Sequence, residues 1–334
     1  MSNIPEKEFE MHPLIDPAIL FFLFGVIAAT LKSNLEIPQA ISRFLSLYLL
    51  MALGLKGGFA LSKSGFTPEV AASLGSAVVL AIVIPLIGFI VLRKILVGFD
   101  AAAVAATYGS VSAVTFVTAV QYLDTHTISY GGYMAAAMAL MESPAIILAV
   151  IFANNLRLKE NSSIGSGQHQ STTFIKIIHE SFTDGAQLLL LGAMVIGFIS
   201  GEAGKAAMQP FSGDLFKGML AFFLLDMGLM TARSAHQLKG LSFSLIAYAI
   251  LAPILHASMA LTLAVLINAS AGDATLLMVL AASASYIAVP AVLRTAIPEA
   301  KPSLYFGMSL GITFPLNLLI GIPTYSYLAQ LFIH

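Results

Sequence analysis

Two pairs of serines stand at matched distances from two aspartates. Ser110 and Ser112 follow Asp100 by ten and twelve residues, and Ser283 and Ser285 follow Asp273 by the same intervals. The first pair lies in Tyr108-Gly-Ser-Val-Ser-Ala-Val-Thr115, a glycine and three hydroxyls inside an otherwise apolar run. Hydroxyls donate to anions and offer lone pairs to cations. Gly109 in the first run and Pro290 beyond the second pair are expected to break their helices, freeing backbone groups that only a small polar cavity could solvate inside a membrane. A helix restarted at such a break presents unpaired N–H groups and a positive dipole end, which favours an anion. The candidate binding residues are therefore Gly109, Ser110, Ser112, Thr115, Ser283 and Ser285. Single hydroxyls in apolar helices also bond back to their own backbone, so it is the repeated spacing that singles these out.

Charge inside apolar segments is the second chemical signal. Glu142 in MALMESPAIIL and Asp226 in FFLLDMGLM each sit deep in a hydrophobic stretch. A carboxylate there costs about 3 kcal/mol, so it pairs, takes up a proton or binds a cation; both are candidates for cation coupling. His256 is the remaining ionisable group of this kind, and a neutral imidazole bonded to a neighbouring helix accounts for it.

The elements that position these groups follow from composition. Of the 334 residues, 58% are hydrophobic and 10% charged, with a mean hydropathy of +0.90, far from the roughly 25% charge of soluble domains. This is an all-α membrane protein of many spans, because strands of the outer-membrane type would alternate and these runs do not. Residues 1–16 are polar and acidic, unlike a cleavable leader, so the first span is expected to be retained. No cysteine is present, which excludes disulfides and thiolate metal centres. Net charge near zero gives no case for nucleic acid. No Walker loop, nucleotide fingerprint, zinc spacing or GxSxG motif appears, so the chain reads as no enzyme and calls for no cofactor.

Pro, Gly and charged residues punctuate the chain into spans near 17–32, 39–61, 69–93, 101–121, 131–156, 183–201, 211–232, 241–268, 274–294 and 303–332. The polar stretch at 157–173 reads as a flexible linker, dividing a first repeat (1–156) from a second (174–334). The halves resemble each other: Gly54 matches Gly228, Asp100 matches Asp273, and Pro144 and Pro315 are expected to interrupt the fifth and tenth spans. An odd number of crossings per half makes the second inverted relative to the first, an arrangement of secondary transporters. With the N-terminus outside, Lys32, Arg43, Arg93, Lys94, Arg157, Lys159, Lys176, Arg233, Lys239, Arg294 and Lys301 fall inside, and Lys7, Lys56, Lys63, Lys205 and Lys217 outside. Both termini are thus predicted outside and the linker cytoplasmic, in a cell inner membrane. Ten residues of helix cover about 15 Å, half the hydrocarbon, so the two serine pairs are expected to meet near the midplane where the two broken helices cross.

The chain resembles the cyanobacterial-type sodium-dependent bicarbonate transporters (SbtA family) over nearly its whole length. The likeness is strongest in Gly109-Ser-Val-Ser-Ala-Val-Thr115, Ile128-Ser-Tyr130, Met141-Glu-Ser-Pro-Ala145 with Phe152-Ala-Asn154, and Leu293-Arg-Thr-Ala-Ile-Pro298. The resemblance implies ten spans in an inverted five-plus-five fold, a homotrimer, and bicarbonate and sodium held where two broken helices cross. It also implies a PII-like regulator on the cytoplasmic face. By position, Gly109, Ser112 and Thr115 match the first broken helix, Glu142 an intramembrane acid, and Ser283 and Ser285 the start of the second. Where the family continues with an aspartate and then Ser-Gly-Pro-Pro, this chain reads Tyr286-Ile-Ala-Val-Pro-Ala291. Tyr286 then replaces a charged cation ligand with a phenol that can face the substrate. The function implied is sodium-dependent uptake of bicarbonate by alternating access. The alternatives are another small organic or inorganic anion, proton-coupled through Asp226 or Glu142, and a receptor that recruits the PII-like partner without transport.

Overall fold

The computed structural model describes residues 16–161, 185–238 and 240–333, and these form helices joined by short turns, with no strand among them. Twelve elements organise the description: α1 (Pro17–Thr30), α2 (Gln39–Ser64), α3 (Pro68–Leu92), α4 (Gly98–Gly109), α5 (Ala113–Thr125), α6 (Met134–Asn161), α7 (Gly185–Met208), α8 (Phe216–Ser234), α9 (Phe243–Leu266), α10 (Ala271–Ala282), α11 (Ala288–Ala296) and α12 (Pro302–Phe332). Seven helical stretches are long and apolar enough to cross a bilayer; one of them, Gly185–Ser234, counts α7 and α8 together. The protein is a multi-pass membrane protein.

Local chemistry sets the helix ends. Asp16 caps α1 by accepting from the Ala18 N–H at 2.8 Å, with Pro17 at the first helical position. Ser270 caps α10 by accepting from the Asp273 N–H at 3.1 Å while its hydroxyl donates to Asp273 Oδ2 at 2.8 Å. Gly201 takes φ 53° and ψ −143°, which only glycine adopts without strain, and it bends α7 there. Leu86, Ile87 and Ile90 of α3 and Leu251, Ile254 and Leu255 of α9 are exposed, the surface a lipid-facing helix presents.

Two bundles result. In one, α2 packs along α7 and α1 along α8, the most extensive pairings in the molecule. Glycines permit this: a Cβ on Gly228 would run into the Phe22 carbonyl of α1, and one on Gly54 into the Leu190 carbonyl of α7. In the other bundle α3, α4 and α6 pack together, as do α9, α10 and α12. The short helices α4 and α10 lie at its heart, with every residue of Phe99–Gly109 and Gly272–Ala282 buried.

The matched aspartates tie the halves together. Asp100 Oδ1 accepts from the Lys301 N–H at 2.8 Å, in the turn before α12. Asp273 Oδ1 accepts from the Gly131 N–H at 2.6 Å, in the turn before α6, and Asp273 Oδ2 from the Tyr133 hydroxyl at 2.8 Å. Burial and that carboxylate push the Tyr133 phenol above its ordinary pKa, so it remains a donor.

Two expectations are corrected. Pro144 does not interrupt its span: α6 is continuous from Met134 to Asn161, since one missing N–H is tolerated where neighbouring helices enclose it. Pro315, by contrast, does sit in disturbed helix, between π-helical turns at Ser309–Thr313 and Asn317–Gly321. The expected linker is helical at 157–161, where Arg157 is anchored by Glu299 at 2.7 Å and by the Ala296 carbonyl at 3.0 Å. The rest of it (162–173), like Lys7, Lys176 and Lys239, lies outside the described residues.

Candidate functional site

The helices break where the serines fall. After α4 the chain is extended at Ser110 (φ −99°, ψ 179°) and Ser112 (φ −104°, ψ 110°), and α5 begins at Ala113. After α10 it is extended at Ser283 (φ −76°, ψ 163°), and α11 begins at Ala288. The two breaks touch. The Ser112 N–H donates to Ser283 Oγ at 3.0 Å, and the Ser285 N–H donates to the Thr107 carbonyl at 2.8 Å. Helix breaking frees such groups, and here each break satisfies part of the other inside a dry core.

Each serine pair also starts the next helix. Ser112 caps α5, accepting from the Thr115 N–H at 3.2 Å and the Thr115 hydroxyl at 2.9 Å. Ser285 Oγ accepts from the Val289 N–H at 3.2 Å. Ser110 Oγ donates to the Glu142 carbonyl at 3.4 Å, and Ser283 Oγ to the Leu280 carbonyl at 2.9 Å.

Gly109 and Pro290 have other roles than the breaking expected of them. Gly109 is no left-handed residue; a Cβ there would meet Pro85 at 2.5 Å, so glycine admits α3. Pro290 lies in the first turn of α11, where its missing N–H has no intrahelical partner to lose.

A cavity of about 70 Å³ opens beside the crossing. Ser112, Ala113 and Val114 line it from the start of α5, and Ser285, Tyr286 and Ala288 from the start of α11. The first N–H groups of both helices therefore point their dipoles toward one space. Glu142 lines the same cavity, its Oε2 accepting from Gln187 Nε2 at 2.8 Å. The arrangement offers amide and hydroxyl donors beside a single carboxylate, a chemistry that suits an anion accompanied by a cation.

The sequence matches the family described as the Na+-dependent bicarbonate transporter superfamily over residues 17–330. The chain belongs to this superfamily. A comparison with curated proteins finds no match.

Within this superfamily member the remaining candidates divide. Tyr286 lines the cavity but is 4% exposed. Its ring packs 5.1 Å from that of Phe314, and its hydroxyl points at Met227 Sδ at 3.7 Å. Asp226 is buried on α8 and does not line the cavity; its Oδ2 has no hydrogen-bond partner among the described residues. His256 is buried with its ring near the Ala281 carbonyl of α10, and its Nδ1 has no hydrogen-bond partner among the described residues. Among the described residues no three His, Asp or Glu side chains gather into a metal cluster.

Sequence reasoning missed three contributors. Gln187 sits in the first turn of α7 and meets Glu142 across 45 positions, a partnership no local pattern carries. Asn317 donates to the Ala282 carbonyl, freed at the end of α10, at 2.8 Å, and accepts from the Tyr325 hydroxyl at 3.0 Å. Thr313 binds the Tyr108 hydroxyl at 2.6 Å and the Ala249 carbonyl at 2.8 Å. The spacing Ser309, Thr313, Asn317 puts a polar stripe on one face of an apolar span, a signal that was readable.

Proposed function

We propose that this chain is a secondary active transporter of a small anion, with bicarbonate as substrate and sodium as coupling ion, and not an enzyme. The observation that carries the reading is the cavity where the N-termini of α5 and α11 converge beside Glu142, in a chain of this superfamily. In this reading the anion sits on the first-turn amides and the Ser112 hydroxyl, with Thr115 bonded behind Ser112, with Ser110, Ser283, Ser285 and Gly109 shaping the breaks, and with Tyr286 closing one side. Sodium is held by Glu142 and neighbouring hydroxyl or carbonyl oxygens.

Ten crossings in two inverted halves, 1–156 and 174–334, are supported by matched contacts. Asp100 and Asp273 bond the corresponding turns of opposite halves, and the α1–α8 and α2–α7 pairings exchange under the same inversion. Alternating access is then one bundle shifting against the other around the crossing. The proposed setting is an inner membrane, both termini outside, in a homotrimer with a PII-like regulator at the cytoplasmic face.

A second reading rests on Asp226, a buried carboxylate with an unpartnered oxygen: another small anion moved with a proton carried there. Uptake of labelled bicarbonate into proteoliposomes separates the readings. A sodium gradient should drive accumulation. Uptake driven by a pH gradient alone favours the second, and no uptake of any anion favours a receptor.

A further inference from the structure

Three cavities follow one another along α2. The largest, about 340 Å³, is lined by Lys56 and Lys63 of α2, Glu202 and Lys205 of α7, and Asp124 of α5. The second, about 30 Å³, shares Lys56 with the first and continues past Leu53, Phe116, Val120 and Met134. The third is the cavity at the crossing, reached at Leu50 and Ser46. The positions 63, 56, 53, 50 and 46 fall on one face of a helix and span about 25 Å. The seam between the two bundles thus holds a charge-lined vestibule, a narrow constriction with an apolar wall and the candidate site in series. The constriction is shut, with Leu53, Phe116, Val120 and Met134 no more than 3% exposed.

A single ion pair crosses the seam at the vestibule floor among the described residues. Lys56 Nζ lies 3.3 Å from Asp124 Oδ2, joining α2 of one bundle to α5 of the other. The Tyr130 hydroxyl donates to Asp124 Oδ1 at 3.0 Å, and the Lys56 ammonium sits 4.3 Å above the Phe216 ring. Burial and the adjacent Asp124 raise the Tyr130 phenol, keeping it a donor. The lysine that ends the vestibule is therefore neutralised by a carboxylate, the chemical likeness of a small oxyanion.

We propose that this vestibule is the mouth that collects the substrate anion, and that Lys56–Asp124 is the tie holding it closed. An arriving anion displaces Asp124 from Lys56, the two bundles lose their link on this side, and the Leu53–Phe116 constriction parts. The inference rests on the anion-transport reading above for the identity of the ligand, and on geometry alone for the tie.

The absence of cysteine makes the test direct. Leu53→Cys places one thiol in the constriction and Ala60→Cys one in the vestibule. Proteoliposomes carrying each are treated with a membrane-impermeant, cationic methanethiosulfonate on the vestibule side. The Ala60→Cys thiol should react fast in every background. The Leu53→Cys thiol should react slowly, and about three-fold faster with Asp124→Asn or Lys56→Gln, the size expected of a partly exposed ion pair. Glu202→Gln, which alters the field on the reagent throughout the vestibule, should change the Leu53→Cys and Ala60→Cys rates by the same factor. Bicarbonate should speed the Leu53→Cys reaction when Lys56 is present and not in Lys56→Gln. An unchanged rate in both Asp124→Asn and Lys56→Gln overturns the tie. Acceleration by those variants with no effect of bicarbonate overturns displacement by the anion. Labelling needs no transport, so a tie that responds in a protein that takes up no bicarbonate faults the transport reading and not the tie.

Discussion

The two helix breaks share a serine spacing and differ in the residues beyond it. Past Ser112 the chain continues Ala-Val-Thr115, and the Thr115 hydroxyl bonds back to Ser112. Beside that break stands a carboxylate, Glu142, reached by Gln187. Past Ser285 comes Tyr286, buried between Phe314 and Met227, and the freed carbonyl of Ala282 is taken by Asn317. One break sets Ser112 and a carboxylate against the cavity, while at the other Ser285 shares that cavity with an aromatic ring supported from behind. The lesson is that two breaks of matched spacing need not do the same work. The first crossing carries the polar chemistry in our reading, and the second supplies a helix dipole and a wall.

Four experiments probe that contrast. The strongest response is expected from Glu142→Gln. Losing a charged ligand costs about 2 kcal/mol, or roughly a 30-fold rise in the sodium concentration for half-maximal uptake, with folded yield preserved. An unchanged sodium curve would remove Glu142 from cation binding and turn attention to Asp226.

Next is Asn317→Leu, aimed at the support of the second crossing. It leaves the Ala282 carbonyl buried without its donor, a loss of about 2 kcal/mol in stability, read as a lowered thermal midpoint in detergent. Stability equal to the parent would mean that the second break holds itself.

Third, Ser112→Ala and Ser285→Ala should be compared directly. Ser112→Ala removes the cap of α5 and Ser285→Ala the acceptor of the Val289 N–H, each worth about 1 kcal/mol, so folded yields should fall alike. If the first crossing carries the chemistry, Ser112→Ala should also raise the KM for bicarbonate about five-fold, while Ser285→Ala and Tyr286→Phe shift it less than two-fold. Equal KM effects at both serines would restore symmetry to the site.

The weakest response is outside the membrane. Arg157 bonds Glu299 and holds its carboxyl below the ordinary 4.5. A depressed carboxylate contributes its stability above the unfolded pKa and loses it as pH falls through the folded one. Thermal stability should therefore be flat in this respect from pH 6 to 8 and decline below about 4.5. Arg157→Ala should cost under about 0.5 kcal/mol at neutral pH, the pair being partly exposed. A comparable cost at pH 4 and pH 7 would assign the loss to the Ala296 carbonyl contact.

Much of the molecule was readable in its residue order. Hydropathy marked the apolar helices because a bilayer imposes length and apolarity on each segment separately. Gly201 bends α7 through its own backbone angles. The serine pairs marked both breaks because their hydroxyls take N–H groups freed within four residues, Ser112 as the cap of α5 and Ser285 from Val289, a strictly local event. Gly109 was noticed for the wrong reason. Its role is to admit Pro85, a residue of another helix, and such closeness leaves no trace in neighbouring positions. Pro144 misled because a proline removes one donor locally, while the decision to break or continue belongs to the surrounding helices. Membrane class and the sites of helix breaking were thus legible in the sequence, since these depend on residues within a few positions of each other. Packing alone brought Gln187 to Glu142, Asn317 to Ala282 and Lys56 to Asp124. Those contacts join residues 35 to 68 positions apart, and their energy exists only once the bundles have packed and removed the alternatives offered by water.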